Sequence, residues 1–394
     1  KDPNLQVLEI QPTAIVFSSE AGDRISYQKT DISEIIIQGS VVEKRPVLLS
    51  STVALRPEDK QIVDAASVRV AELFQGSKDN QELRIWAAAY MAFHDNKEAT
   101  DYLNSLATSN NLQTQLDAAW GLYLADKALP EGLVRTGLES NNRTIRAQTA
   151  VLAGLYGMDE MTPELMGMLN DRSAEFSAPA AIALARIGNR EIIPQLFEML
   201  GSTSGEKNQA GVQSLIILGG PDVIDIVKYR IEETDGLERY RLVYILHNLG
   251  EPAGRKRLID IFNDEPTIRA EAALVLAADD YWEAIQYLQE RLKRREDPTL
   301  DNLIFRARNA HGILQSGDSS AIHVFQSLLR SDDTAIKSFV LDLIIDLADR
   351  SHLKLIQPTI RNVDSALSLK ACNTTVAIAN PAYRERYQTL TGKP

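Results

Sequence analysis

From about residue 59 onward, apolar residues recur at i, i+3, i+4 and i+7, the period of a helix that buries one face. A longer period lies over that one. Residues 141–171 read NNRTIRAQTAVLAGLYGMDEMTPELMGMLND, and residues 172–202 read RSAEFSAPAAIALARIGNREIIPQLFEMLGS. Superimposed, Ala147 falls on Ala178, Ala150 on Ala181, Gly157 on Gly188, Pro163 on Pro194 and Leu165 on Leu196. A fixed period of 31 residues is the signature of a stacked repeat, in which each helical hairpin buries its apolar face only against its neighbours.

The period can be walked by the turn inside each hairpin: Asp95, Asp126, Gly157, Gly188, Gly219 and Gly250. It slips by one to Asp280, jumps 37 to Gly317 and returns at 31 to Ala348. Glycine at such a place suits a left-handed residue just past a helix end, and aspartate is a workable substitute. The jump marks an insertion over 293–301, read as a longer loop. Thr144, Thr267, Thr299 and Thr334 stand before first helices and are read as N-caps. Pro163, Pro194, Pro221 and Pro252 fall in the turn or first turn of second helices, where a missing N–H costs least.

Residues 1–58 follow another pattern. LQVLEI, TAIVFSS, DRISYQ and SEIIIQG are short, rich in β-branched and aromatic residues and separated by turn residues, which predicts strands. Residues 43–58, with Pro46 and Pro57, read as an extended linker. The domain division is therefore a small β head with linker over 1–58 and a helical array over 59–394. Such a head is expected either to cap the array's exposed apolar end or to recognise something itself. The stretch AIVFSSEAGDRISYQKTDISEI resembles small β-barrel modules, which keeps the second option open.

Composition changes the picture in three places. A net charge of −12 opposes attraction to phosphate backbones and anionic lipid. The single cysteine, Cys372, excludes an intramolecular disulfide and sits in a mostly apolar helix, where a packed thiol is expected. No run approaches the 18 or so apolar residues of a membrane span. A first residue that is Lys rather than Met, one cysteine and a β head together lean toward a processed bacterial envelope protein, with the cytoplasm the other possibility.

The run A-x-x-A-L-x-x-x-G, then P-x-L, then a closing N/S-D or G-S resembles HEAT repeats of the short, phycobilisome-lyase type over roughly residues 80–380. The resemblance implies an all-α right-handed α-solenoid of about ten helical hairpins, following the small N-terminal β segment. It also implies a concave face, lined by second helices, that is offered to protein partners.

Chemistry-bearing motifs are scarce. His94, His247, His311, His323 and His352 show no metal-ligand spacing with one another or with Cys372. Asp279 and Asp280 are paired acids, yet Asp280 occupies a turn position, so a structural role explains it. Gly219–Gly220–Pro221 lacks the lysine of a phosphate loop, and no G-x-S-x-G elbow occurs. No catalytic, cofactor-binding or metal residue is assigned. Basic residues gather over 228–308, which holds 14 Lys and Arg against 16 Asp and Glu. With Leu165, Leu196, Val227, Leu258 and Leu288 pointing inward, Tyr229, Arg230, Arg257, Tyr287 and Arg291 face outward on second helices. Tyrosine and arginine are enriched at binding hot spots, so these five form a candidate patch for an acidic protein surface or peptide.

The expectation is thus a non-catalytic protein-interaction scaffold, needing no cofactor and no nucleic acid, elongated to roughly 80–100 Å at ordinary helix spacing. Two alternatives stand beside it: a nucleic-acid-binding array using 228–308, and a lyase-like enzyme. The partner's identity and the oligomeric state are not encoded in any motif.

Overall fold

The computed structural model describes residues 55–294, 297 and 299–390 in full, together with the backbone of five strands nearer the N-terminus. Those strands are β1 (Gln6–Ile10), β2 (Ala14–Ser18), β3 (Arg24–Gln28), β4 (Ile35–Ile37) and β5 (Ser40–Glu43). β1, β2 and β3 pair antiparallel in that order, and β4 pairs antiparallel with β5. The expected role of this segment as a cap rests on side chains outside the described residues.

Helix begins at α1 (Pro57–Gly76), and hairpins follow. They are α2 (Gln81–Phe93) with α3 (Lys97–Ala107), α4 (Leu112–Leu124) with α5 (Leu133–Leu138), and α6 (Arg143–Leu155) with α7 (Thr162–Leu169). Next come α8 (Ala174–Ile187) with α9 (Ile193–Leu200), α10 (Gly205–Leu218) with α11 (Gly220–Ile231), and α12 (Gly236–Asn248) with α13 (Pro252–Asp264). The last four are α14 (Arg269–Ala278) with α15 (Trp282–Lys293), α16 (Leu300–Gln315) with α17 (Ile322–Leu329), α18 (Thr334–Leu347) with α19 (Leu353–Ile360), and α20 (Ser365–Ala379) with α21 (Pro381–Leu390). The array is an all-α solenoid.

Every turn position read from the 31-residue walk has a left-handed backbone: Asp95, Asp126, Gly157, Gly188, Gly219, Gly250, Asp280, Gly317 and Ala348 all have positive φ. Ala348, at φ 52°, pays most for this, because its Cβ crowds the following carbonyl. Ala348→Gly is therefore expected to raise stability by about 1 kcal/mol, read as a later urea midpoint with unchanged slope.

The caps differ from the sequence reading. Thr299 does cap α16, accepting from the Asn302 N–H. Elsewhere the cap lies one or two residues earlier, at Asn142 for α6 and Asp333 for α18. Short carboxylate and amide side chains reach the orphan amides at least as well as threonine does. Before α14 the cap position is Ile268, whose side chain cannot accept, and Thr267 lies outside the helix.

Packing departs from the elongated expectation. Each first helix packs on the next: α2 on α4, α4 on α6, then α8, α10 and α12, with α13 joining α12 to α14, and α14 followed by α16, α18 and α20. The series does not stop there. α20 packs against both α1 and α2, and α19 packs against α1, so the first and last hairpins meet. Arg69 Nε donates to Ser368 Oγ at 3.0 Å, Lys354 Nζ lies 2.7 Å from Glu58, and Arg361 lies 4.0 Å from Glu72. The array is a closed ring. One flank of α1 is thereby covered by α20.

Closure follows from how the two layers pack. First helices carry alanine and glycine at their contacts, so their axes approach closely. Gly154 shows the limit: a Cβ there would lie 2.5 Å from the Ala183 Cα on the next first helix. Second helices touch one another far less. A layer that is tight on one side and splayed on the other curves toward the tight side, and accumulated curvature brings the ends together.

The ring lumen as candidate functional site

The last helix shows which layer faces inward. Ten residues of helix span about 15 Å. Yet α21 touches α2, α4, α8, α18 and α20, which only helices curving around it allow. Tyr383 is fully buried, with its ring 4.9 Å from Phe93 and 6.0 Å from Tyr90, and its hydroxyl donates to Asn373 Oδ1 at 3.0 Å. Arg386 pairs with Asp126 and donates to the Tyr123 carbonyl at 2.9 Å. Arg186 donates to the Thr389 carbonyl at 3.0 Å, and Gln388 donates to Asp346 at 3.0 Å. First helices thus line the lumen, and α21 lies inside it.

Ten first helices spaced about 9 Å apart enclose a circle of axes roughly 30 Å across, leaving roughly 20 Å clear once one helix diameter is removed. A single helix fills about half of that. Among the cavities beside α21, two adjoin each other, of about 270 and 390 Å³. The first is lined by Asn80, Leu83, Leu369, Lys370, Asn373 and Tyr387, among others. The second is lined by Glu82, Ile85, Trp86, Asp117, Trp120, Gln148 and Leu390. Glu82, Trp86 and Leu390 belong to both walls.

The sequence-predicted patch lies elsewhere. Tyr229 and Arg230 are on α11, Arg257 on α13, and Tyr287 and Arg291 on α15, all second helices. The premise that second helices line the concave face is overturned, because α21 and both cavities contact first helices. The patch is on the outer layer, and most of its charge is engaged within the chain. Arg257 pairs with Glu232, and Arg230 lies over the Phe197 ring at 4.9 Å. Arg291 stacks 4.0 Å above Phe305 and donates to the Tyr287 hydroxyl at 2.8 Å. Only Tyr229 stands clear, 65% exposed, with its hydroxyl on Glu233.

Trp86, Asp117 and Gln148 escaped the sequence reading, although their signal was there. Each lies nine residues before a turn position, Asp95, Asp126 or Gly157. Repeat-equivalent residues on adjacent helices stand side by side, and Gln113 Nε2 confirms it by donating to both Asp117 Oδ1 and Gln148 Oε1.

Asp280 holds its turn, while Asp279 lies 3.5 Å from His247 and 3.6 Å from Arg255. Cys372 is buried in α20, and burial pushes its thiol up to about 12, far from a reactive thiolate. Burial also holds the imidazoles of His94 and His352 below their ordinary value. Between that depressed value and about 6.5, the unfolded chain binds more protons than the folded one. Stability from these two groups is present above about pH 6.5 and declines as pH falls below it. The urea midpoint should drop between pH 7.5 and 5.5, and the drop should shrink in a His94→Gln, His352→Gln double variant.

Comparison with known proteins bears on the repeats. A family model described as HEAT repeats matches residues 162–246. Among curated proteins, none matches the sequence. Among solved structures, human deoxyhypusine hydroxylase in complex with glycerol is similar at 15% identity and a TM-score of 0.30, covering 74% of this chain and 97% of that one. Among the described residues, no helix is long and apolar enough to cross a membrane.

Proposed function

We propose that the chain, in which residues 162–246 match HEAT repeats, is a non-catalytic scaffold presenting partner proteins with a surface fixed in advance. The observation that carries this reading is the closure of the array. A ring stitched through Arg69, Lys354, Arg361 and Arg386 ties its first helices to its last, so its surface is ordered before a partner arrives. Binding to a preordered surface avoids much of the entropy loss that a flexible solenoid would bear.

The docking surface proposed is the outer rim where α11 turns into α12. There Tyr229 and Leu237, 65% and 57% exposed, flank the turn, with Arg230 and Arg257 beside them. Tyr287 and Arg291 support this rim from the next hairpins rather than contact the partner, since Tyr287 stacks edge-on to Phe262 at 5.7 Å. An acidic protein surface suits the basic and aromatic composition. Affinity capture with wild type and a Tyr229→Ala, Arg257→Glu double variant tests the reading. Partners should be lost from the variant and released from wild type by added salt, with circular dichroism unchanged. An identical set of captured proteins from both would contradict this choice of surface.

A further inference from the structure

Inside the ring, Glu82 and Trp86 lie one turn apart on α2, and Asp117 and Trp120 lie one turn apart on α4. All four open onto one cavity, with Gln148 and Leu390 completing its wall. Among the described residues, no basic side chain lines that cavity. Glu82 makes no side-chain hydrogen bond or ion pair among the described residues, and Asp117 is met only by the neutral Gln113 amide, at 2.9 Å. Lys370 lines the adjoining cavity. Its ammonium is already held by Asp342 Oδ2 and Ser338 Oγ, each at 2.7 Å. Two carboxylates thus face a partly enclosed space, beside two indole rings, with no counter-charge among the described residues that line it.

Both features favour one ligand chemistry. The face of an indole attracts a cation through its quadrupole, most strongly where water is partly excluded. Unneutralised carboxylates raise the local concentration of positive charge, and do so more in a cleft with apolar walls than on an open surface. Aromatic walls also suit the weakly hydrated methylene or methyl groups that clothe an organic cation, whereas a bare metal ion would want more oxygen ligands. We propose that the lumen beside α21 is a binding site for an alkylammonium group, with Trp86 and Trp120 as its walls and Glu82 and Asp117 as its counter-charge. The group could be carried by a small quaternary amine or by a lysine side chain, since the site recognises the cationic head. This site is distinct from the outer rim, so either can fail without the other.

The test uses the full chain with Trp282→Phe, which leaves the two lumenal indoles as its tryptophans. Tetramethylammonium, N-acetyl-lysine amide and the uncharged isostere 3,3-dimethylbutanol are titrated while tryptophan emission is followed. Saturable changes are expected with the two cations and not with the alcohol, and the stronger cation identifies the source that the site prefers. Glu82→Gln with Asp117→Asn should weaken cation binding by tenfold or more without shifting the thermal melt, because neither residue packs in the core. Absence of a saturable response to both cations, or equal binding of the alcohol, would overturn the proposal. So would undiminished affinity in the carboxamide variant.

Discussion

Tyr383→Ala is expected to lower stability by about 3–5 kcal/mol, the range for deleting a large buried aromatic. Few side chains in the molecule have so much depending on them. Tyr383 is fully buried, contacts Phe93 and Tyr90 on α2, and stacks on Tyr387 within its own helix at 6.2 Å. Truncation would leave a cavity between α2, α20 and α21, and α21 would loosen from the lumen. Tyr383→Phe keeps the ring and removes only the bond to Asn373, so about 1 kcal/mol should be lost. Urea denaturation of the two variants separates packing from hydrogen bonding. In an open solenoid, by contrast, the last helix is a terminal element that frays at little cost. The ring reverses that expectation, because each end is also an interior neighbour.

The second large effect is at Gly154. Glycine within a helix ordinarily costs about 1 kcal/mol relative to alanine, so Gly154→Ala would stabilise if propensity decided the outcome. It does not decide here. The added Cβ would meet the Ala183 Cα at 2.5 Å, and backbone cannot step aside as a flexible side chain can. α6 and α8 must separate, which disturbs the tight layer that curves the ring. We expect Gly154→Ala to destabilise and Gly154→Val to cost about 3 kcal/mol or more. Gly167, on α7, provides the control, because nothing lies within 4 Å of its would-be Cβ. Gly167→Ala should instead gain up to about 1 kcal/mol. Thermal melts of the three variants read the contrast directly.

Much of the fold was legible from the amino-acid sequence because its determinants are local. The left-handed turn must recur once per hairpin, and it does so from Asp95 to Ala348. Proline positions were equally readable: Pro163, Pro194, Pro221 and Pro252 each sit in the first turn of a second helix. Cap positions were less so, since Asn142 and Thr144, or Asp333 and Thr334, offer competing acceptors within one turn. Closure was not legible. It results from a small bend repeated at each interface, and no single residue announces it. The contacts that seal it, such as Arg69 with Ser368, lie 299 residues apart. The layer facing inward was misread for the same reason: outward and inward faces of a hairpin are distinguished by the sign of curvature, which periodicity leaves undetermined. The lumenal Trp86 and Trp120 followed from that error, because the search for a binding face was made on second helices.

The closed ring is the claim on which the lumen, the preordered surface and the Tyr383 effect all depend. Val68 on α1 and Val363 before α20 are exposed, and both flank the seam where Arg361 meets Glu72. Spin labels placed there through Val68→Cys and Val363→Cys, with the buried Cys372 left in place, report the end-to-end separation by double electron–electron resonance. Adjacent helices about 10 Å apart predict a single narrow distribution below roughly 30 Å once the label arms are included. A distribution centred near 80–100 Å, the length of about ten hairpins in open file, would contradict the ring.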